Sequence, residues 1–297
     1  MVMFYYIVYG LLYGISLLPF RILYIISDAA SFLLYHVIRY RRDIVANNLL
    51  IAFPEKTAAE RKRIAKQFYK DFVDNFIEVI KMISISKKEL DKRFVGNYQL
   101  MNDLYQTGKN VQVHLGHYFN WEYANLAYTA NQLYPFIVVY QPISNKVLDR
   151  IFYKMRSRFG TKLVPVNNFR NEFAQLSKGK YALILVGDQN PPGPENAYWT
   201  DFFGRKTPFV KGPEKGARLK NTAIVMCNIY KVKRGYYRSE LRLLTTEPRT
   251  LADGVITKEM ITFIEDTVRT YPSNYLWSHR RWKWEYDPEK FGHLVVQ

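Results

Sequence analysis

The chain opens on a run from Met1 to Phe20 without a single charged side chain. That is about the length an α-helix needs to cross a bilayer. Tyr and Phe recur in the run, and aromatic rings favour the membrane interface. Arg21 interrupts it, a second apolar stretch follows from Ile22 to Ile38 around Asp28, and Arg39-Tyr-Arg-Arg42 closes the region. A buried core helix shares this pattern. A cleaved signal peptide fits less well, because no basic segment precedes the apolar run. The pattern predicts an uncleaved N-terminal anchor, with the basic residues behind it holding the rest of the chain on the cytoplasmic side. Whether residues 22–38 enter the bilayer, lie on it or pack on the body is open, although Asp28 argues against a second free-standing span.

Beyond Pro54 the periodicity is helical. Thr57-Ala-Ala-Glu60 reads as a capping box opening a helix to about Met82, with Phe68, Phe72, Asn75, Phe76 and Val79 on one side. Its basic residues Arg61, Lys62, Arg63, Lys66 and Lys70 form a solvated face, or one resting on anionic headgroups. From residue 109 short apolar runs alternate with helical segments. Strands are predicted at 110–114, 135–140, 162–166, 181–186, 222–232 and 237–244. Helices are predicted at 120–131, 145–159, 169–177, 211–220 and 257–270, the last with Met260, Ile264 and Val268 four apart. Alternation of this kind implies an α/β fold: a mixed sheet covered by helices on both faces, preceded by the anchor helix. The expected division is residues 1–40 as anchor and interfacial segment and residues 41–297 as one cytoplasmic α/β domain.

Composition narrows the partners. Lys and Arg number 43 against 26 Asp and Glu, a formal charge of +17, and aromatics reach 16%. A basic, aromatic-rich surface suits either nucleic acid or an anionic membrane carrying phosphorylated lipids. No nucleic-acid motif is present and the basic residues are spread along amphipathic helices, so an anionic membrane lipid is the expected partner. The single cysteine, Cys227, excludes an internal disulfide and a cysteine zinc site, and its apolar run makes it a core residue.

The candidate chemistry lies in Gly116-His-Tyr-Phe-Asn-Trp-Glu122. On one helix, His117 and Glu122 would point about 140° apart. A turn between them is written locally: a strand ends near His114, Gly116 frees the backbone, and Asn120 is a good helix N-cap. The expectation is that His117 sits in a loop at the carboxyl end of a strand, with Glu122 in the first helical turn and in contact with it. A carboxylate on one ring N–H fixes the tautomer, and the other nitrogen can then take a hydroxyl proton. A packed histidine and a dipole-stabilised helix-start glutamate share the spacing. No His-Glu-x-x-His or Cys/His set accompanies His114, His117 and Glu122, so no metal and no cofactor are expected.

His117-Tyr-Phe-Asn-Trp-Glu122 resembles the His-x₄-Asp/Glu motif of the lipid A biosynthesis acyltransferases of lauroyl/myristoyl type, within the lysophospholipid acyltransferase superfamily. The resemblance covers nearly the whole chain. It takes in the apolar anchor, Asn47 to Pro54, Arg156-Ser-Arg158-Phe-Gly160, Gly187-Asp188-Gln189, Phe202 to Thr207 with Gly212, and Tyr275 to Lys283. It implies an inner-membrane enzyme moving an acyl chain from acyl carrier protein, or less often acyl-CoA, to a hydroxyl of a phosphorylated glycolipid. His117 would be the general base and Glu122 its partner. By the same resemblance Arg156 belongs to the active site; Arg156 or Arg158 could clamp a phosphate or an oxyanion. Asp188 ends a buried strand, where it orients an arginine or caps a loop. Arg280 and Arg281, beside Trp282 and Trp284, suit a phosphorylated glycolipid at the interface. Another membrane glycolipid or aminolipid fits the same mechanism. The Gln189-Asn-Pro-Pro-Gly-Pro194 loop and the Tyr-rich anchor depart from the better-known enterobacterial members, so acyl length and acceptor position do not carry over.

Overall fold

The computed structural model describes residues 2–296; the first and last residues of the expected domain bounds lie outside them. Helix α1 (Val2–Leu17) is followed by α2 (Phe20–Phe32), which runs on through a π-helical turn, Leu33–Val37. Pro19, at the N-cap of α2, has no N–H to continue the first helix, and this sets the break. With 16 residues, α1 is about 24 Å long, short of a hydrocarbon core of about 30 Å. The stretch that meets the length and composition of a span is instead Phe20–Val37. It is tied to the body on one side. Ser27 donates to Asp74, Tyr24 donates to Glu78, and Asp28 pairs with Arg234. The opposite side exposes Ile22, Ile25, Phe32, Leu33 and Val37.

Helix α3 (Arg42–Ala52) leads to α4 (Ala58–Lys81). The capping box forms as expected: Glu60 N–H donates to the Thr57 hydroxyl, and Thr57 N–H donates to the Glu60 carboxylate. Phe68, Phe72, Asn75 and Val79 are buried, whereas Phe76 is exposed beside the N-terminal helices. Helix α5 (Lys87–Arg93), strand β1 (Phe94–Val95) and α6 (Tyr98–Gln106) follow.

The α/β body alternates as predicted: β2 (Val111–Leu115), α7 (Trp121–Asn131), β3 (Phe136–Tyr140), α8 (Lys146–Arg156), β4 (Lys162–Pro165), α9 (Phe169–Leu176) and β5 (Ala182–Val186). An antiparallel hairpin, β6 (Ala197–Phe202) with β7 (Arg205–Val210), stands apart from the main sheet and was not anticipated. Then come α10 (Gly212–Lys220), β8 (Ala223–Lys233), β9 (Tyr236–Thr245), α11 (Val255–Thr270) and the short α12 (Pro288–Phe291). The seven-stranded sheet has the order β1-β9-β8-β2-β5-β3-β4 and is mixed, because β8 and β9 pair antiparallel while the other pairs are parallel. Cys227 is a buried core thiol, pushed up to about 12 by burial.

His114 lies wholly inside β2, with Nε2 2.9 Å from the Gln112 side-chain amide, and burial pushes its imidazole down to about 4. It folds in neutral, whereas the unfolded chain takes up its proton from pH 6.5 downward. The unfolded state therefore binds more protons as the pH falls, and stability is lost on acidification. The gap between 6.5 and 4 corresponds to about 3 kcal/mol by pH ~4. Urea titrations across this range should show His114→Met with a flatter pH dependence than the wild type by that amount. Parallel curves would refute the assignment.

Candidate active site

Strands β2 and β5 run parallel with Leu115 opposite Val186. Each strand then continues glycine first and a titratable residue second: Gly116-His117 on one, Gly187-Asp188 on the other. The register alone therefore carries His117 and Asp188 to the same place at the carboxyl edge of the sheet, where open α/β folds gather their functional groups. The glycines permit close packing by α11. A Cβ on Gly187 would sit 2.7 Å from the Met260 sulfur, and one on Gly116 would sit 3.2 Å from Ile264.

The resulting contact is tight. His117 Nδ1 lies 2.6 Å from Asp188 Oδ1, and His117 N–H donates to Asp188 Oδ2 at 3.0 Å. Burial on its own would raise Asp188, but the charge of His117 and its ring and backbone hydrogen bonds outweigh this and hold it at about 2. With Nδ1–H given to Asp188, Nε2 presents its lone pair, and the Gln189 amide donates to it at 3.2 Å. The segment after α11 holds the loop from behind. Leu276 N–H donates to His117 O, and Phe119 N–H donates to Asn274 O. Asn48 on α3 in turn grips that segment through the carbonyls of Trp277 and His279, both at 2.7 Å.

The expected contact between His117 and Glu122 is not made. Asn120 does cap α7, accepting from Tyr123 N–H at 2.9 Å, and Glu122 does fall in the first turn. There the helix aims its buried carboxylate at α8. Arg156 Nε donates to both Glu122 oxygens at 3.0 and 2.9 Å, and Arg156 Nη2 donates to Oε1. Burial would lower the guanidinium; the Glu122 charge and hydrogen bonds prevail and raise it. The link to His117 runs through Trp121, whose ring stands edge-on to the imidazole at 5.6 Å and whose Nε1–H donates to Glu122 at 3.2 Å. His117, Trp121, Glu122, Arg156 and Gln189 all border one cavity of about 590 Å³. Its floor is apolar because alternate residues of three neighbouring parallel strands share a face: Val113 and Leu115, Ile184 and Val186, Val138 and Tyr140.

The remaining expected site residues lie elsewhere. Arg158 donates to the carbonyls of Met82 and Ile85 at the end of α4, where a cation complements the helix dipole. Arg280 is exposed, its carbonyl accepting from Asn190 at 2.7 Å. Arg281 is 2% exposed, stacks 4.1 Å from the Phe209 ring, and donates to Asn190 Oδ1 and Pro208 O, both at 2.8 Å. Burial pushes Arg281 down to about 10. It fastens the loop after Asp188 to the β6–β7 hairpin. Sequence reasoning missed the contact of Asp188 with His117 and the contacts made by Gln189, Trp121 and Asn48. The repeated strand-Gly-polar endings and the Asn47–Pro54 motif were the available signals. His114, raised as a ligand with His117 and Glu122, points at Gln112, so the three do not converge. Among the described residues no group of three or more His, Cys, Asp and Glu could hold a metal ion.

Fold and site together describe a mixed α/β protein whose loop histidine, set by a carboxylate, opens onto a hydrocarbon-lined cavity. A sequence model of the bacterial lipid A biosynthesis acyltransferases matches residues 1–284, and the chain belongs to that family. It is 23% identical over 270 residues to the lipid A biosynthesis acyltransferase of Haemophilus influenzae, covering 89% of this chain and 82% of the relative. It is 23% identical over 274 residues to the lipid A biosynthesis palmitoleoyltransferase of Escherichia coli K12, covering 90% and 86%. A lipid A biosynthesis acyltransferase 2 of Shigella flexneri is 21% identical over 233 residues, 77% of this chain and 74% of the relative.

Proposed function

We propose that this acyltransferase moves a fatty acyl chain from a thioester, carried by acyl carrier protein or CoA, to a hydroxyl of a phosphorylated lipid A precursor. The observation that carries the reading is His117, with Nδ1 engaged by Asp188 and Nε2 facing the apolar cavity. The acceptor hydroxyl replaces the Gln189 amide at Nε2 and passes its proton there as its oxygen attacks the thioester carbonyl carbon. The tetrahedral adduct collapses, the C–S bond breaks, and the thiolate leaves with the proton from His117. Asp188 stabilises the imidazolium between these events. No serine or cysteine nucleophile is needed, since the thioester carbonyl is already activated. Arg156 donates to Glu122 through Nε and Nη2, leaving Nη1 for the developing oxyanion or an acceptor phosphate. Residues 1–40 hold the enzyme at the inner membrane, and residues 41–297 work on its cytoplasmic side.

Acyl transfer from acyl carrier protein to a phosphorylated disaccharide lipid, followed by mass spectrometry, tests the reading. His117→Ala should lose roughly 10²–10⁴-fold in rate. Full activity in that variant, or no transfer by the wild type, would sink it.

A further inference from the structure

A second cavity of about 440 Å³ lies away from His117, in the trench between α3 and α4. Small side chains keep it open: Ala46 on α3 faces Ala58 and Ala65 on α4. Its floor is apolar, formed by Val45, Leu49, Tyr35 and Tyr69. Its rim is cationic. Arg42 stacks on the Tyr35 ring at 4.6 Å, Arg61 spends only Nη1 on the carbonyls of Phe53 and Lys56, and Lys62 is exposed. None of the three is ion-paired among the described residues, although Lys56 and Lys70 of the same stretch are. The nearby carboxylate Asp43 does not line the trench; it borders an adjoining depression together with Arg39, Arg42 and Ala46. Tyr35 belongs to the π-helical turn in which Leu33 and Val37, with Ile38 after them, are exposed and apolar, so the trench opens beside the apolar surface that, on the proposed reading, meets the bilayer.

We propose that this trench binds one anionic phospholipid of the bilayer, its phosphate between Arg42, Arg61 and Lys62 and an acyl chain along Val45 and Leu49. A hydrated acidic protein surface would match the cations but leave the apolar floor unfilled, whereas an amphiphile satisfies both. The site is separate from the transfer chemistry and stands whichever acceptor the enzyme uses.

The test uses the full chain in phosphatidylcholine vesicles doped with phosphatidylglycerol bearing a photoactivatable acyl chain. Label should map to peptides containing Val45, Leu49 and Ala65. Ala46→Trp fills the trench without changing charge and should abolish that label, while acyl transfer to a soluble acceptor analogue continues. Arg42→Gln/Lys62→Gln should weaken labelling about twenty-five-fold, from roughly fivefold per cation at an anionic surface. Equal labelling by a phosphatidylcholine probe would overturn the proposal. So would unchanged labelling in Ala46→Trp. A double variant that labels normally but shows a raised KM for acyl carrier protein would overturn it too, and would assign the cations to that acidic protein.

Discussion

Asp188→Asn is expected to lower kcat by about 10⁴-fold, the scale on which a histidine base fails when its tautomer is wrong. The Asp188 carboxylate accepts two hydrogen bonds, one from the His117 ring and one from the His117 backbone. An asparagine has one acceptor oxygen and one donor nitrogen for the same two partners. The backbone N–H cannot change sign, so it takes the oxygen, and the amide NH₂ is left facing Nδ1. The ring then moves its proton to Nε2, the nitrogen that must accept one. KM should change little, since Asp188 lies behind the ring. Glu122→Gln in the same assay should keep the pH dependence of a correctly set histidine, because Glu122 touches Arg156 and Trp121 instead. A near-normal kcat in Asp188→Asn, with the pH profile shifted by Glu122→Gln, would reverse the two assignments.

Arg156→Ala should cost roughly 3 kcal/mol of stability in addition to activity, because it leaves the Glu122 carboxylate buried without its partner. The Glu122 side chain is 4% exposed and that of Arg156 20%, so solvent compensates little. Replacing both members, as Glu122→Leu/Arg156→Leu, should recover most of that stability, since the unpaired charge is gone, while acyl transfer stays lost. Urea denaturation of both variants beside the transfer assay separates the two effects. If Arg156→Ala unfolds at the wild-type midpoint, the pair is not a structural tie. If the double variant transfers acyl chains normally, Arg156 plays no part in the chemistry.

Much of the architecture was legible along the chain. The capping box at Thr57, the N-cap at Asn120 and the alternating apolar runs from residue 109 are local patterns, and local hydrogen bonding and periodicity decide them. The β6–β7 hairpin was not legible, because Pro208 and the glycine-bearing turn at Phe203-Gly204 interrupt the alternation that marks a strand. The N-terminal region was legible as apolarity but not as geometry. Pro19 divides it, and the buried cluster of Asp74 and Glu78 with Ser27 and Tyr24 fixes the second helix against the body.

His117 shows where the boundary fell. By itself the sequence determined that a histidine lies in the loop between a strand and a capped helix, that Glu122 lies in that helix's first turn, and that a family of acyltransferases shares the pattern. Which carboxylate serves the histidine was decided by strand order. The chain makes β3 and β4 before it returns to lay β5 against β2, so His117 and Asp188, distant in sequence, end in register. Spacing carries information over a turn or two of backbone. Sheet neighbours are chosen by packing of whole strands, and that choice appears only in three dimensions.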